Sequence, residues 1–548
     1  MHPAVTLTFF LSFFSFFFFA CLSLNMYSML PPFLYFVRLN PKSSFNCSSF
    51  LFPISSVFSS SSMFPELFSM FFKKQTTIPI IPLNEREKNS KIKKPHLSSS
   101  FIFKPYIMYN SFIIFSFILW FLILFLCFPK STPLTNSDNQ TNHLVTTCDG
   151  PYVYVYDLPP EFNIGLLQRC RHLSVYTDMC PHVANRGLGR QVSTVSTAAN
   201  SWFATHQFIA ELIFHARMEN HPCRTRDPNI ANLFYIPFYG GLHASSKFRE
   251  PNITERDALA VRLVDYIQSQ PTWWKNNGRD HFLALGRTAW DFMRNNANGP
   301  DFGANCLLNL NAVQNMSVLT VERNPWTGSN QFGIPYASYF HPSTSDEMVM
   351  WQNKMRQSKR PNLFTFIGAP RKGLEKAAIR DDIIQQCDMS SKCKLVNCRG
   401  EQGKECYDPG RVLRIMSESE FCLQAPGDSF TRRSTFDSIL AGCIPVFFSP
   451  HTAYTQYFWY MPAKAGHYSV YIDEKGGGRK RIEEELLKIP REKVKRMRER
   501  VVKLIPKVTY KHPNSTDFQF KDAVDVALAA LSKRVSSSVG GAGGHDMS

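Results

Sequence analysis

The chain has 548 residues, a formal net charge of +18, fourteen cysteines and 48 phenylalanines. That length exceeds what one hydrophobic core supports, which excludes a single small domain and predicts two folded domains with appendages. The phenylalanine excess is local, since 26 of the 48 precede residue 129. The positive balance suits an anionic ligand as well as a solvated basic surface, and alone it separates neither.

In residues 1–105 Ser and Phe follow no helical or strand period and lysines cluster only near the end, so a low-complexity, disordered extension is expected. Val5 to Leu24 resembles a signal sequence but has no Lys or Arg before it. The stronger membrane segment is 106–128. There SFIIFSFILWFLILFLCF, Ser111 to Phe128, carries no charge, and Tyr106 to Asn110 extend it to the length that crosses a bilayer. Lys91, Lys93, Lys94 and Lys104 precede it and only Lys130 follows closely, which puts the N-terminal side in the cytosol and everything beyond Phe128 in a lumen. Met108 is an alternative start, and insertion of Val5 to Leu24 would invert the orientation.

Residues 129–147 are polar and read as a stem. Asn-x-Ser/Thr acceptors stand at Asn139, Asn252, Asn315 and Asn514 beyond the span, against Asn46 before it. Eleven of the fourteen cysteines also lie beyond it. The spacing of Cys387, Cys393, Cys398 and Cys406 is wrong for a zinc ribbon, so disulfides in an oxidising compartment are expected, and the odd number leaves one thiol over.

From Cys148 onward short apolar runs alternate with helical patterns. PYVYVYDLPP reads as a strand, Thr197 to His221 as a helix, ANLFYIPFYGG as a buried strand, Arg256 to Gln270 as a helix and HFLALG as a strand ending in glycine. This alternation predicts parallel α/β architecture, in which ligands gather at the carboxyl ends of strands. Residues 148–350 form the first expected domain. In the second, 351–535, NLFTFIGAPR is a strand entering a turn, a helix runs to Gln386, and Arg411 to Ser419 leads into FCLQAPG. Residues 536–548 read as a disordered tail.

GDSFTRRSTFDSILAGCIPVFF, Gly427 to Phe448, changes character halfway. Its loop stands above the carboxyl end of FCLQAPG and leads into a helix from Thr435 to Ala441, whose N-terminus attracts anions. Arg432 and Arg433 add forked cations suited to phosphate, Ser429 adds a hydroxyl, and Asp437 is able to accept hydrogen bonds from sugar hydroxyls. A sugar-nucleotide site follows: cations for the diphosphate, a carboxylate for the ribose. In the competing reading Arg433 and Asp437 form an i, i+4 ion pair on a solvated helix. Arg371, after the Gly368 turn, is a second diphosphate candidate.

This stretch, followed by SPHTAYTQYFWYMP, resembles the signature of the plant exostosin-like glycosyltransferases, glycosyltransferase family 47, in the xyloglucan galactosyltransferase branch. YVYDLPPEFN, FYIPFYGGL, GRDHFLALGRTAWDF, IPYASYFHP and LFTFIGAPR match the same branch in order, so the likeness covers Cys148 to Leu531. It implies a GT-B fold of two facing Rossmann-like domains, type II anchoring in the Golgi membrane, and inversion at the sugar carbon. It also implies transfer of galactose from UDP-galactose to xylosyl side chains of the xyloglucan polysaccharide. Asp437 falls where the family has the acid near the donor ribose; many relatives carry an arginine three residues earlier, where this chain has Ser434.

Inverting transfer needs a base and a stabiliser for the departing diphosphate. No Asp-x-Asp occurs in the lumenal part, so metal independence with no cofactor is expected. The base is expected in the first domain, where Asp280 and His243 rank ahead of Asp157 and His281. Trp273, Trp274, Trp290 and Trp326 are candidate platforms for the acceptor. Arg479 to Lys507 reads as solvated helices, not a nucleic-acid surface. The other classes open are a related transferase for arabinosyl, galacturonosyl or glucuronosyl groups, and a catalytically silent Golgi partner of glycans or of sister glycosyltransferases.

Overall fold

Four-residue runs such as Leu233–Ile236 and His281–Ala284 bury every side chain, the behaviour of parallel strands covered on both faces. In the computed structural model, which describes residues 148–193, 199–295 and 303–540 together with Phe115, Phe117 and Ile118, such runs build two sheets. The expected extension, membrane span and stem lie outside the described residues, apart from those three helical positions; of the expected 536–548 tail, the part from 541 lies outside them too, while 536–540 continue the helix Ala523–Gly540 instead of starting a disordered end. Among the described residues no helix is long and apolar enough to cross a membrane.

Residues Asp138–Ser548 form one compact unit. Its first sheet contains β1 (Val153–Val155), β2 (Arg224–Thr225), β3 (Leu233–Ile236), β4 (His281–Ala284), β5 (Ser317–Thr320) and β6 (Gln331–Gly333), in the order β2-β1-β3-β4-β5-β6. The second contains β7 (Asn362–Gly368), β8 (Cys393–Asn397), β9 (Ser419–Gln424), β10 (Ile444–Phe447) and β11 (Val470–Tyr471), in the order β11-β10-β9-β7-β8. Every pairing is parallel. The two halves are thus doubly wound α/β units, the two-sheet plan of a GT-B fold, and each reverses its winding beside its first strand. Crevices for ligands open at the carboxyl ends there, between β1 and β3 and between β7 and β9.

Two helices tie the halves together. Ser345–Gln357 starts on a capping box between Thr344 and Glu347 and packs on helix Arg491–Val508. Its Trp351 donates from Nε1 to the Leu440 carbonyl at 2.8 Å, which attaches it to the second sheet although it precedes β7. At the start of the last helix, Ala523–Gly540, buried Asp522 receives Arg217 Nε at 2.8 Å from the first half, while Tyr460 of the second half donates to the Ala523 carbonyl at 3.1 Å. One core runs continuously through both sheets, and a smaller one lies on the other face of the first. Ten of the eleven cysteines past residue 147 are paired: Cys148–Cys223, Cys170–Cys180, Cys387–Cys393, Cys398–Cys406 and Cys422–Cys443. Cys306 is free.

Candidate functional site

A cavity of ≈ 820 Å³ lies between the carboxyl ends of the two sheets. Its first wall carries His206, Phe208, Ser245, Arg287, Trp290 and Asp291, and its second carries Lys376 and Asp428 through Arg432. Concave sites with a few convergent polar groups are the usual home of small ligands.

The second wall is built at the winding reversal. Buried Arg380 donates to the carbonyls of Ala369 at 2.8 Å, Ala425 at 3.2 Å and Pro426 at 2.6 Å, which fastens the ends of β7 and β9 together; burial pushes its guanidinium down to about 9. The loop after β9 then enters helix Arg433–Leu440, whose N-cap Arg432 is extended and supplies no side-chain cap; Thr435 N donates to the Arg432 carbonyl at 3.2 Å, which leaves the Arg433 and Ser434 N–H groups uncapped. Nε and Nη2 of Arg432 are buried without a hydrogen-bond partner, and burial, opposed only by more distant partners such as Tyr336 and Asp428, holds its pKa below the usual arginine value. A buried cation without a counter-ion is costly, and an anion at this place removes the cost. A Cβ at Gly427 would overlap the Arg432 guanidinium, so any side chain there has to displace it.

Arg433 and Asp437 behave differently. Arg433 Nε lies 3.3 Å from Asp437 Oδ2, Nη1 donates to the Thr205 carbonyl at 3.0 Å, Nη2 meets the Tyr339 hydroxyl, and the guanidinium sits 4.3 Å from the Tyr339 ring centre. Asp437 is buried and accepts from Ser338 at 2.5 Å. Burial raises its carboxyl, with Arg433 pulling the other way. The i, i+4 pair therefore exists, but inside the protein, where it clamps the donor-side helix to Thr205, Ser338 and Tyr339 of the first half. Of the three residues assigned to one donor grip, only Arg432 lines the cavity. Ser429 lines it as well, whereas Arg371 sits at the rim in a 3.2 Å pair with exposed Asp428.

Glu322, which follows β5, joins the two walls. Fully buried, it accepts from Thr431 N at 2.7 Å, Thr431 Oγ1 at 2.5 Å, Phe430 N at 3.4 Å and Trp290 Nε1 at 2.8 Å. One carboxylate thus holds the loop preceding Arg432 and the tryptophan facing it.

The three base candidates lie away from the cavity. Asp280 stands at the amino end of β4, opposite the crevice, in a buried chain: Asp280 Oδ1 to His281 Nδ1 at 2.7 Å, His281 Nε2 to Tyr156 at 2.7 Å, and Tyr156 to Thr272 at 2.5 Å. His281 stacks on Phe234, and the chain is a packing device. Burial favours the neutral Asp280 carboxyl, but hydrogen bonds from His281 and Asn276 outweigh it and lower the pKa. His243 is on helix Gly240–Lys247, one residue past Leu242, and the turn of 100° per residue carries it off the face that lines the first cavity. It faces a separate cavity with Glu161, Arg169 and Arg262, and burial, then Lys247 and Arg262, push it down to about 4. Asp157 is exposed after β1 and offers only its backbone carbonyl to Tyr266.

Four of the residues that line the first wall follow β4: Arg287, Thr288, Trp290 and Asp291. Strand polarity was the signal for them, since HFLALG ends at Gly286 and the crevice opens at that end. Trp273 is wholly buried and Trp274 is exposed outside the cavity. Trp326 lines the mouth, 60% exposed, beside Trp290, Phe430 and His451 at ring separations of 6.0, 5.8 and 4.9 Å. Among the described residues no group of three or more His, Cys, Asp or Glu is arranged to hold a metal ion.

The family described as Exostosin GT47 domain matches residues 147–485. Probable xyloglucan galactosyltransferase GT17 of Arabidopsis thaliana is 62% identical over 420 residues, covering 76% of this chain and 89% of that protein. Xyloglucan galactosyltransferase MUR3 of the same plant is 44% identical over 407 residues, covering 73% and 64%. Xyloglucan galactosyltransferase XLT2 is 41% identical over 398 residues, covering 71% and 75%.

Proposed function

The chain belongs to the exostosin GT47 family of glycosyltransferases, and from that premise we propose that it transfers galactose from UDP-galactose to xyloglucan. The relatives MUR3 and XLT2 are named xyloglucan galactosyltransferases and GT17 a probable one, which supports the sugar and the acceptor. The observation that carries the donor half of the proposal is Arg432, a buried guanidinium with two unpartnered nitrogens at a helix entrance on the cavity wall. A diphosphate there gains the guanidinium fork and the uncapped Arg433 and Ser434 N–H groups at the helix entrance. As the bond between the sugar carbon and the phosphate oxygen breaks, charge grows on that oxygen, and donors already aimed at it lower the barrier. Metal-independent transfer is part of the proposal, because Arg432 supplies the cation that the leaving group needs.

The acceptor enters from the mouth, where the exposed face of Trp326 suits the apolar face of a sugar ring. Golgi residence, with residues 106–128 as a type II anchor and the catalytic unit lumenal, belongs to the same proposal; the five disulfides support an oxidising compartment. The test is the purified full chain offered UDP-galactose and other UDP-sugars with a xyloglucan oligosaccharide, with and without excess EDTA, and product linkage determined. Galactosylated xylose is expected under both conditions, and transfer from a different UDP-sugar only would refute the donor assignment.

A further inference from the structure

For the acceptor hydroxyl to attack, a cavity group has to take its proton, and the sequence candidates do not reach the cavity. Four groups at the cavity walls are able in principle to act. Glu322 has both oxygens occupied by Trp290, Phe430 and Thr431 and is sealed from solvent. Asp428 stands on the donor loop, with its side chain 68% exposed and turned to Arg371, so it belongs to the diphosphate side. His206 accepts the Phe208 N–H at Nδ1, 3.2 Å away, so its own proton resides on Nε2 and that nitrogen donates. Burial, with His182, Arg433 and Arg287 close by, pushes it down to about 3.

Asp291 is the fourth. It lies on the first wall, on the turn after β4, with its side chain 14% exposed. Oδ2 is held by Arg287 Nε at 2.8 Å and Thr288 Oγ1 at 3.1 Å. Arg287 is itself fixed, through Nη1 on Ser245 Oγ at 2.9 Å and by the Phe208 ring 4.4 Å from its guanidinium carbon. Among the described residues no hydrogen bond reaches Oδ1. One oxygen oriented by two donors and one left open is the layout of a positioned base.

We infer that Asp291 is the general base of the transfer, an inference that rests on the transferase reading above. The acceptor hydroxyl gives its proton to Asp291 Oδ1 while its oxygen forms the new bond to the sugar carbon. The bond from that carbon to the phosphate oxygen breaks, its electron pair leaves with UDP on the Arg432 side, and the Asp291 proton returns to water.

The full chain carrying Asp291→Asn keeps an oxygen for Arg287 but no basic carboxylate. At saturating substrates its kcat should fall roughly 10²- to 10⁴-fold, with the calorimetric Kd for UDP within twofold of wild type. Asp291→Glu, which moves the carboxylate by one methylene, should recover part of the loss. An Asp291→Asn chain that binds UDP and turns over within tenfold of wild type overturns the assignment. If that variant does not bind UDP, Thr288→Val decides, since it removes one of the two donors that orient Oδ2 while keeping the carboxylate and its Arg287 partner: a several-fold lower kcat at unchanged UDP affinity supports the role, and wild-type kcat overturns it. Absence of any sugar transfer by the wild-type chain would instead sink the transferase reading, before any variant is compared.

Discussion

Replacing Asp437 by Asn removes the counter-ion of Arg433 and leaves the guanidinium with the Thr205 carbonyl and Tyr339. Breaking a buried pair costs roughly 3–5 kcal/mol. The contacts that survive put this case near the lower end, about 3 kcal/mol. With unfolding entropy of about 2.1 cal/mol/K per residue over roughly 380 described residues, each degree corresponds to about 0.8 kcal/mol, so Tm should drop by about 4 °C. Arg432→Ala should do the opposite. Its buried nitrogens have no partner to lose, so Tm should hold or rise, while the Kd for UDP should increase about 10- to 100-fold, on the scale of one lost charged hydrogen bond. Scanning calorimetry gives the first quantity for both variants and titration calorimetry with UDP gives the second. If Asp437→Asn kept its Tm and lost UDP affinity, Asp437 would belong at the ribose, and the division of labour between the two arginines would be refuted.

Glu322→Gln puts an amide NH₂ among the N–H groups of Thr431 and Trp290, so the Kd for UDP should rise roughly fivefold or more, from about 1–3 kcal/mol of lost loop anchoring; an unchanged Kd in titration calorimetry would contradict it. Trp326→Ala should raise KM for the xyloglucan oligosaccharide roughly two- to tenfold and leave KM for the donor alone, and a change in donor KM only would remove Trp326 from the acceptor path. Burial pushes His341 down to about 4 from its ordinary 6.5. Unfolded chain therefore takes up this proton below pH 6.5 and folded chain only near 4, so the contribution of His341 to stability is complete above pH 6.5 and falls by roughly 3 kcal/mol as pH drops through that window. Guanidinium unfolding midpoints at pH 7 and pH 4.5 measure the total fall, to which His206 and His243 add in the same direction, and His341→Gln should remove only the His341 share.

Patterns of local character made the architecture legible. Alternating buried strands, glycine turns and amphipathic helices were enough for two parallel α/β halves, and the ordered motifs were enough for the family. Strand polarity was legible too. Applied to HFLALG, it points past Gly286 to Asp291, because a parallel strand presents its ligand crevice at the end the chain leaves, and Asp280 lies at the end it enters. Other assignments depended on partners more than a hundred residues away. Glu322 looks unremarkable beside Arg323 until the fold brings Phe430 and Thr431 onto its oxygens. His243 and Ser245 are two residues apart, and only the packing of their helix sends them to different cavities.

Arg432 and Arg433 are the clearest case of both limits. Their charge, their neighbours and their place before a helix follow from the chain alone, since capping, propensity and ionisation are properties of adjacent residues. Which guanidinium is neutralised inside the protein and which is left for a ligand is set by Thr205, Ser338 and Tyr339, and local sequence contains no term for contacts that form only when the two sheets close on each other.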